Sequence, residues 1–284
     1  MKFNIYLYIG KIFATAIAIL VTAILLYPVA YVILSSLLRG QVLLTSFSDI
    51  ERYGLSLEHY IKTLKDPSFI NAALTSILVS ILNVIISILV IVPAAYAFSR
   101  FDFRGKGSIL VLYLILSQIG GGFGVAAVIA LFIFLLRINS YGIPVIGNPF
   151  ILPFIYTSSA VPFQTWLIKN YFDSLPRSLD EAAFIDGANW RDIVFKVIFP
   201  ASKSVVFIIS LFAFMGAWGE FLLATFVRVN TLGAYIYQTA VGQTIFWSDF
   251  AARTILFAIP IIILYAVAQR YIGEAMRYGA GKIS

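Results

Sequence analysis

Long apolar runs separated by short polar stretches dominate this chain. They cover roughly residues 12–38, 69–98, 109–136, 151–168, 205–227 and 254–272. A helix needs about 20 mostly apolar residues to cross a bilayer, so each run is predicted to be a membrane-spanning helix. Spanning β-strands would instead alternate polar and apolar residues over about 10 positions, and none of the runs does so. The predicted fold is therefore an all-α integral membrane protein with six transmembrane helices. The first run is 27 residues without a charge, against about 7–15 apolar residues in a cleaved signal, so a retained anchor is expected.

Composition agrees. Apolar residues make up 61% of the 284, charged residues 12%, and the mean hydropathy is +0.96. Soluble domains carry about 25% charged residues, so water-soluble enzymes and nucleic-acid binders are excluded and membrane lipid is the expected surrounding. The net charge of +7 then reads as topology, because cytoplasmic loops accumulate Lys and Arg. With the N-terminus cytoplasmic, thirteen basic residues fall on the inner side and seven on the outer side. Both termini are thus expected in the cytoplasm of a multi-pass protein of the cytoplasmic membrane. There is no cysteine, which removes disulfides and thiolate chemistry. The single histidine, His59, is expected to be an ordinary surface residue of the outer loop, and no metal site is expected.

The organisation expected is an N-terminal helix with its outer loop, residues 1–68, followed by a five-helix core, residues 69–284. In loop 39–68, Ser56-Leu57-Glu58 suggests a short capped helix, and the Gly- and Pro-bearing segment 137–150 is predicted to be loop. Segment 169–204 is unusual: it holds ten charges in 36 residues and has a helical period of its own. Ser178 and Glu181 have the spacing of a capping box. Ala182 and Ala183 are small enough for another surface to approach, Asp186 follows, and Gly187 suits a left-handed helix end. Asn189 can cap a second helix in which Trp190, Ile193, Val194, Val197 and Ile198 form one apolar stripe, before Pro200. The residues allow either a hairpin lying on the membrane interface or a docking element for a soluble cytoplasmic partner.

Glu181-Ala182-Ala183, then Gly187, then Ile198-Phe199-Pro200, resembles the EAA signature of permease subunits of binding-protein-dependent ABC importers, in a cytoplasmic loop before the last two spans. Ala95-Tyr96-Ala97-Phe98-Ser99-Arg100 resembles the Ala-Tyr-Ala-Phe-x-Arg of the carbohydrate branch, of maltose/maltodextrin type. Trp218-Gly219-Glu220-Phe221 is similar to its Trp-Asn-Glu-Phe, with Gly219 departing, and Arg277–Lys282 is similar to its Gly-rich tail. The resemblance covers residues 57–284. It implies a non-catalytic sugar permease with a sister permease subunit, two ATP-binding cassette subunits and an extracytoplasmic sugar-binding protein. It also implies a cytoplasmic coupling loop, residues 169–204, whose Glu181, Ala182, Ala183, Asp186, Gly187 and Pro200 meet the ATPase.

No cofactor is expected on this chain, ATP and Mg belonging to the partner ATPases. Gly105-Lys106 and Gly281-Lys282 are not phosphate loops. That motif needs Gly five residues before its Gly-Lys and Ser or Thr directly after, and the chain has Arg100 and Met276 before, Gly107 and Ile283 after.

Within the third run, Gln118 and Gly122 belong to a glycine-rich stretch read either as close helix packing or as a break lining the pathway. Glu220 is the only acid inside a predicted span, where a charge costs about 2.5–3.5 kcal/mol. It is expected to face a cavity, a partner or the wet interface. Asn83, Gln164 and Thr165 are weaker candidates, each alone more often an interhelical hydrogen bond. The competing function is an ion-coupled secondary carrier of a small polar solute, which would need ion ligands in several helices. An intramembrane hydrolase lacks a nucleophile–base arrangement.

Overall fold

The computed structural model describes the backbone of residues 5–46, 48–122, 124–242 and 245–280, and the side chains of residues 10–46, 48–117, 124–242 and 245–269. Helices α1 (Ile5–Leu37), α2 (Ser48–Tyr53), α3 (Glu58–Lys65) and α4 (Pro67–Arg100) come first. They are followed by α5 (Lys106–Gly122), α6 (Gly124–Ser140), α7 (Ile151–Ser174), α8 (Ser178–Ile185) and α9 (Trp190–Asp192). A π-helix over Ile193–Ile198 then leads into α10 (Phe199–Ala201), α11 (Lys203–Gly219), α12 (Leu222–Phe226), α13 (Leu232–Ala240) and α14 (Trp247–Ala280). Among the described residues, Gly10–Leu37, Pro67–Arg100 and Trp247–Gln269 are each long and apolar enough to cross a membrane. A fourth span results if Trp190–Ala201 and Lys203–Gly219, bent by 89°, count as one.

Two of the predicted continuous spans are broken. The third run becomes α5 and α6, 17 residues each, parted next to Gly124, whose φ of +46° is left-handed backbone that glycine adopts readily. The fifth run stops at Gly219, because Glu220 is extended (ψ 126°) and α12 starts only at Leu222. Segment 137–150 is not all loop, since α6 continues to Ser140.

The chain divides into two compact units, residues 1–69 with 238–258, and 70–237 with 259–284. In the first, the chain leaving α1 pairs antiparallel with the chain just beyond α2 through Leu38 and Leu55. Arg39 N–H donates to Gly54 O at 3.1 Å and Ser56 N–H to Leu37 O at 2.7 Å. The short helix expected near Ser56 is α3, and the Ser56 hydroxyl accepts the Glu58 N–H at 3.1 Å. Glu58 takes the Gly40 N–H at 2.7 Å, which holds its carboxyl below the ordinary value.

His59 is not a surface residue. It is 2% exposed, with Nδ1 2.6 Å from Asp249 Oδ1 and Nε2 2.9 Å from Leu38 O. Lys62 donates to the other Asp249 oxygen at 2.6 Å. The helical register that puts Thr63 inside puts His59 inside as well, four residues earlier.

The second unit has two apolar cores. One collects Ile91, Val92 and Ala95 of α4, Ile168 and Phe172 of α7, Ala183 of α8, Ile193, Val194 and Ile198 of the π-helix, and Val205, Val206 and Ile209 of α11. The other collects Val79 of α4, Leu152 and Tyr156 of α7, Ala217 of α11, and Leu223 and Ala224 of α12.

A polar belt lies between them along the helices. Asn83 donates to Ala213 O at 2.7 Å and accepts the Thr157 hydroxyl at 2.9 Å, and Ser87 lies 3.2 Å from Thr157. Along α4 the buried positions Val79, Asn83, Ser87, Ile91 and Ala95 recur every four residues, one face of a helix running from core to belt to core. In a bilayer each such side-chain bond contributes about 0.6–2 kcal/mol. Asn83 is thus an interhelical bond, as the sequence reading allowed.

Candidate functional site: the helical hairpin 178–200

α8 ends as the sequence predicts. Gly187 has φ +83°, its N–H donates to Phe184 O at 3.0 Å, and Ala188 N–H donates to Ala183 O at 3.0 Å. This pair of bonds is the Schellman closure of a helix C-terminus. Nothing lies within 4 Å of where a Cβ would stand on Gly187. The demand for glycine there is one of backbone conformation and not of space, worth about 1–2 kcal/mol.

Asn189 then caps α9, its Oδ1 accepting the N–H groups of Arg191 at 3.0 Å and Asp192 at 3.1 Å. Ile193, Val194 and Ile198 are all but fully buried, and Lys196 and Asp192 pair outside at 2.6 Å. At Ser202 the chain turns by 89° into α11.

Two local expectations fail. The capping box does not form. Arg177 already has helical dihedrals (φ −64°, ψ −23°), and no side chain caps α8. Its first turn closes on backbone, with Leu179 N–H on Pro176 O and Asp180 and Glu181 N–H on Arg177 O, so Ser178 lies inside that turn. Trp190 does not belong to the buried stripe. It is 52% exposed, with the Arg191 guanidinium 5.3 Å from its ring centroid. Trp190 is the first residue of α9, directly after the Asn189 cap, and lies ahead of the buried stripe that Ile193, Val194 and Ile198 keep through the π-helix.

Glu181, Ala182, Asp186 and Gly187 are exposed, as is Pro200 in α10, while Ala183 points inward, 8% exposed, into the first core. Phe184 and Ile185, 67% and 87% exposed, share the outer side with Glu181. The hairpin therefore presents an acidic carboxylate beside two large apolar side chains on a backbone fixed at both turns.

Its inner side is tied down by polar contacts that the sequence reading did not identify. Tyr96 OH donates to Asp180 Oδ1 at 3.0 Å. Arg100 Nε lies 2.9 Å from Asp180 Oδ2, an ion pair whose side chains are 8% and 14% exposed. The remaining nitrogens of Arg100 donate to Phe172 O at 3.1 Å and Leu175 O at 3.4 Å, carbonyls of the last turn of α7, where the helix leaves acceptors with spare capacity; Phe172 O also takes the Leu175 N–H at 3.0 Å. Ser99 donates to Asp173 at 2.7 Å, and Lys169 reaches the same carboxylate at 2.6 Å. The sequence marked Tyr96 and Arg100 as part of a motif, but their link to Asp180 showed only as charge complementarity with an acid 80 positions on.

Glu220 belongs to the other core, away from the hairpin. Half-buried, it accepts the Tyr156 hydroxyl at 2.5 Å and the Leu223 and Ala224 N–H groups at 2.6 and 3.3 Å. Capping α12 in this way satisfies amide donors that the break would otherwise leave open. Gln118 and Gly122 lie outside the residues whose side chains are described; the backbone carries α5 through both. Among the described residues no group of acids and histidines could hold a metal ion.

Residues 5–278 match the family described as "Binding-protein-dependent transport system inner membrane component". The chain is 31% identical over 280 residues to the trehalose/maltose transport system permease protein MalG of Thermococcus litoralis, covering 93% of this chain and 94% of that one. It is 27% identical over 267 residues to the maltodextrin transport system permease protein MalD of Streptococcus pneumoniae, covering 91% of each. In fold it is similar to a chain of a bacterial ABC transporter involved in the import of the acidic polysaccharide alginate, with a TM-score of 0.72 over 95% of this chain and 99% of that one at 24% identity.

Proposed function

Since this chain belongs to the family of inner membrane components of binding-protein-dependent transport systems, we propose that it is the membrane-spanning subunit of an ATP-driven importer of a mono- or oligosaccharide. It pairs with a sister permease, receives sugar from an extracytoplasmic binding protein and works with two ATPase subunits that carry ATP and Mg. It has six spans with both termini cytoplasmic, and the hairpin 178–200 docks the ATPase. Glu181 supplies charge to that contact and Gly187 sets the hairpin's angle. Gln118, Gly122 and Glu220 border the path taken by the sugar.

The observation that carries this reading is the hairpin's outer side. Phe184 and Ile185 stand 67% and 87% exposed next to Glu181 on a segment held by a Schellman turn and an Asn cap. Large apolar side chains presented on a rigid, charged element fit a protein partner better than solvent.

Glu181→Lys and Gly187→Val test it. Both variants should insert and yet lose transport, with the ATPase either failing to co-purify or hydrolysing without regard to sugar. Glu181→Gln should not restore function, because the role is an ion pair and not a helix cap. Normal transport with bound ATPase in both variants would remove the docking role. For topology, Ser56→Cys and Ser140→Cys should react with an impermeant reagent from outside, and Ser108→Cys and Ser178→Cys should not. Outside labelling at position 178 would contradict the importer reading.

A further inference from the structure

We propose that Tyr96, Arg100 and Asp180 form the joint through which movement of the hairpin reaches the membrane helices, a role that rests on the hairpin being the ATPase dock. Asp180 and Glu181 are adjacent in sequence, and neighbours on a helix do not share a face. Their carboxylates divide accordingly, with Glu181 in solvent and Asp180 turned in to Tyr96 and Arg100. The other inward contacts of the hairpin, through Ala183, Ile193, Val194 and Ile198, are apolar. Apolar burial holds surfaces together but is non-directional, so it lets one element roll or slide on another. Direction comes from the Tyr96 hydroxyl, which donates to Asp180 Oδ1, while Arg100 Nε holds Asp180 Oδ2 as a close charge pair without hydrogen-bond alignment; together they fix α8 to the end of α4.

Arg100 extends the joint. Its two further nitrogens sit on the terminal carbonyls of α7, so α4, α7 and α8 meet at one guanidinium, whose planar fork suits several simultaneous acceptors. A cavity of about 210 Å3 lined by Tyr96, Arg100, Arg177, Asp180, Glu181 and Phe184 opens beside the pair. Close packing does not hold the geometry on that side, and the polar contacts must do so. Tyr96, Arg100 and Asp180 are thus positioning residues, which set whether displacement of α8 moves α4 and α7 or is lost as slippage.

The test uses the full complex of chain, sister permease, ATPases and binding protein in liposomes, with radiolabelled maltodextrin as the probe. Asp180→Asn keeps the size of the side chain and an acceptor for Tyr96 but removes the charge that binds Arg100. The expected result is that the ATPase stays bound, hydrolysis loses its dependence on loaded binding protein, and sugar moved per ATP falls about tenfold.

Tyr96→Phe removes one hydroxyl and should lower the same ratio about threefold; it decides the matter if Asp180→Asn does not insert. Either variant overturns the joint if it moves wild-type sugar per ATP, or if transport and hydrolysis fall together in constant ratio as the complex is lost. Failure of the dock itself looks different: the wild-type chain would then not retain the ATPase at all.

Discussion

Two buried carboxylates, Asp180 and Asp249, each fasten a short helix to a long one, by opposite arrangements. Asp180 sits on short α8 and reaches Tyr96 and Arg100 at the end of α4. Asp249 sits in the first turn of long α14 and is reached by His59 and Lys62 of short α3. Both acids have a buried partner, Arg100 at 8% exposure against Asp180 at 14% and His59 against Asp249 at 3% each, but the second partner of Asp249, Lys62, is 64% exposed. An exposed lysine contributes little and is screened by salt. A buried guanidinium that also holds two backbone carbonyls cannot move without all three elements moving. The first arrangement therefore suits a moving part that must not slip, and the second suits a static fastening of the loop after α1.

That difference predicts a division of effects between the two acids. Asp249→Ala leaves buried His59 without its carboxylate, and losing one member of a buried pair costs about 3–5 kcal/mol. The thermal midpoint should drop while the sugar moved per ATP by the surviving complex stays at the wild-type ratio. A variant that keeps its midpoint but uncouples hydrolysis would break the comparison.

His59→Gln should cost less, about 1–2 kcal/mol, because an amide can still donate to Asp249; no change in midpoint would mean that Lys62 alone closes the contact. Glu220→Gln should be milder, about 1 kcal/mol, since it keeps an acceptor for the α12 cap. It should fold and assemble yet alter transport or its coupling to hydrolysis; wild-type transport would reduce Glu220 to a structural cap.

Mild acid should have the smallest effect. The Gly40 N–H holds the Glu58 carboxyl below its ordinary value of 4.5. That contribution is therefore complete above pH 4.5 and fades as the pH falls through the lowered value. Protection of the Gly40 amide from hydrogen exchange, taken against the unstructured rate at the same pH, should fall below pH 4.5 with no matching loss at Gly187; equal loss at both would contradict the assignment.

What was legible in the sequence was local. Gly187 and Asn189 act on amides one to five residues away, so their spacing alone announces the turn and the cap. The long apolar runs announce helices for the same reason.

The misreadings come from non-local or cumulative effects. His59 looks like a loop residue until Asp249, 190 positions later, is brought beside it. Tyr96 and Arg100 stand out as a motif, but their partner Asp180 lies 84 and 80 positions away. Ser178 fails as a cap because Arg177 is already helical, and Trp190, at the first position of α9 beside the Asn189 cap, lies ahead of the buried stripe. The break at Glu220 is readable only with hindsight, from a glycine followed by an acid able to cap what comes next.

We propose that ATP bound by partner subunits drives sugar across this chain through the hairpin. The most direct measurement is uptake of radiolabelled maltodextrin by liposomes holding the complete complex and loaded binding protein, with ATP on the ATPase side and ionophores present. The expected result is ATP-dependent accumulation that ionophores leave intact and that Glu181→Lys abolishes. Accumulation that ionophores collapse, or that proceeds by an ion gradient without ATP, would contradict it.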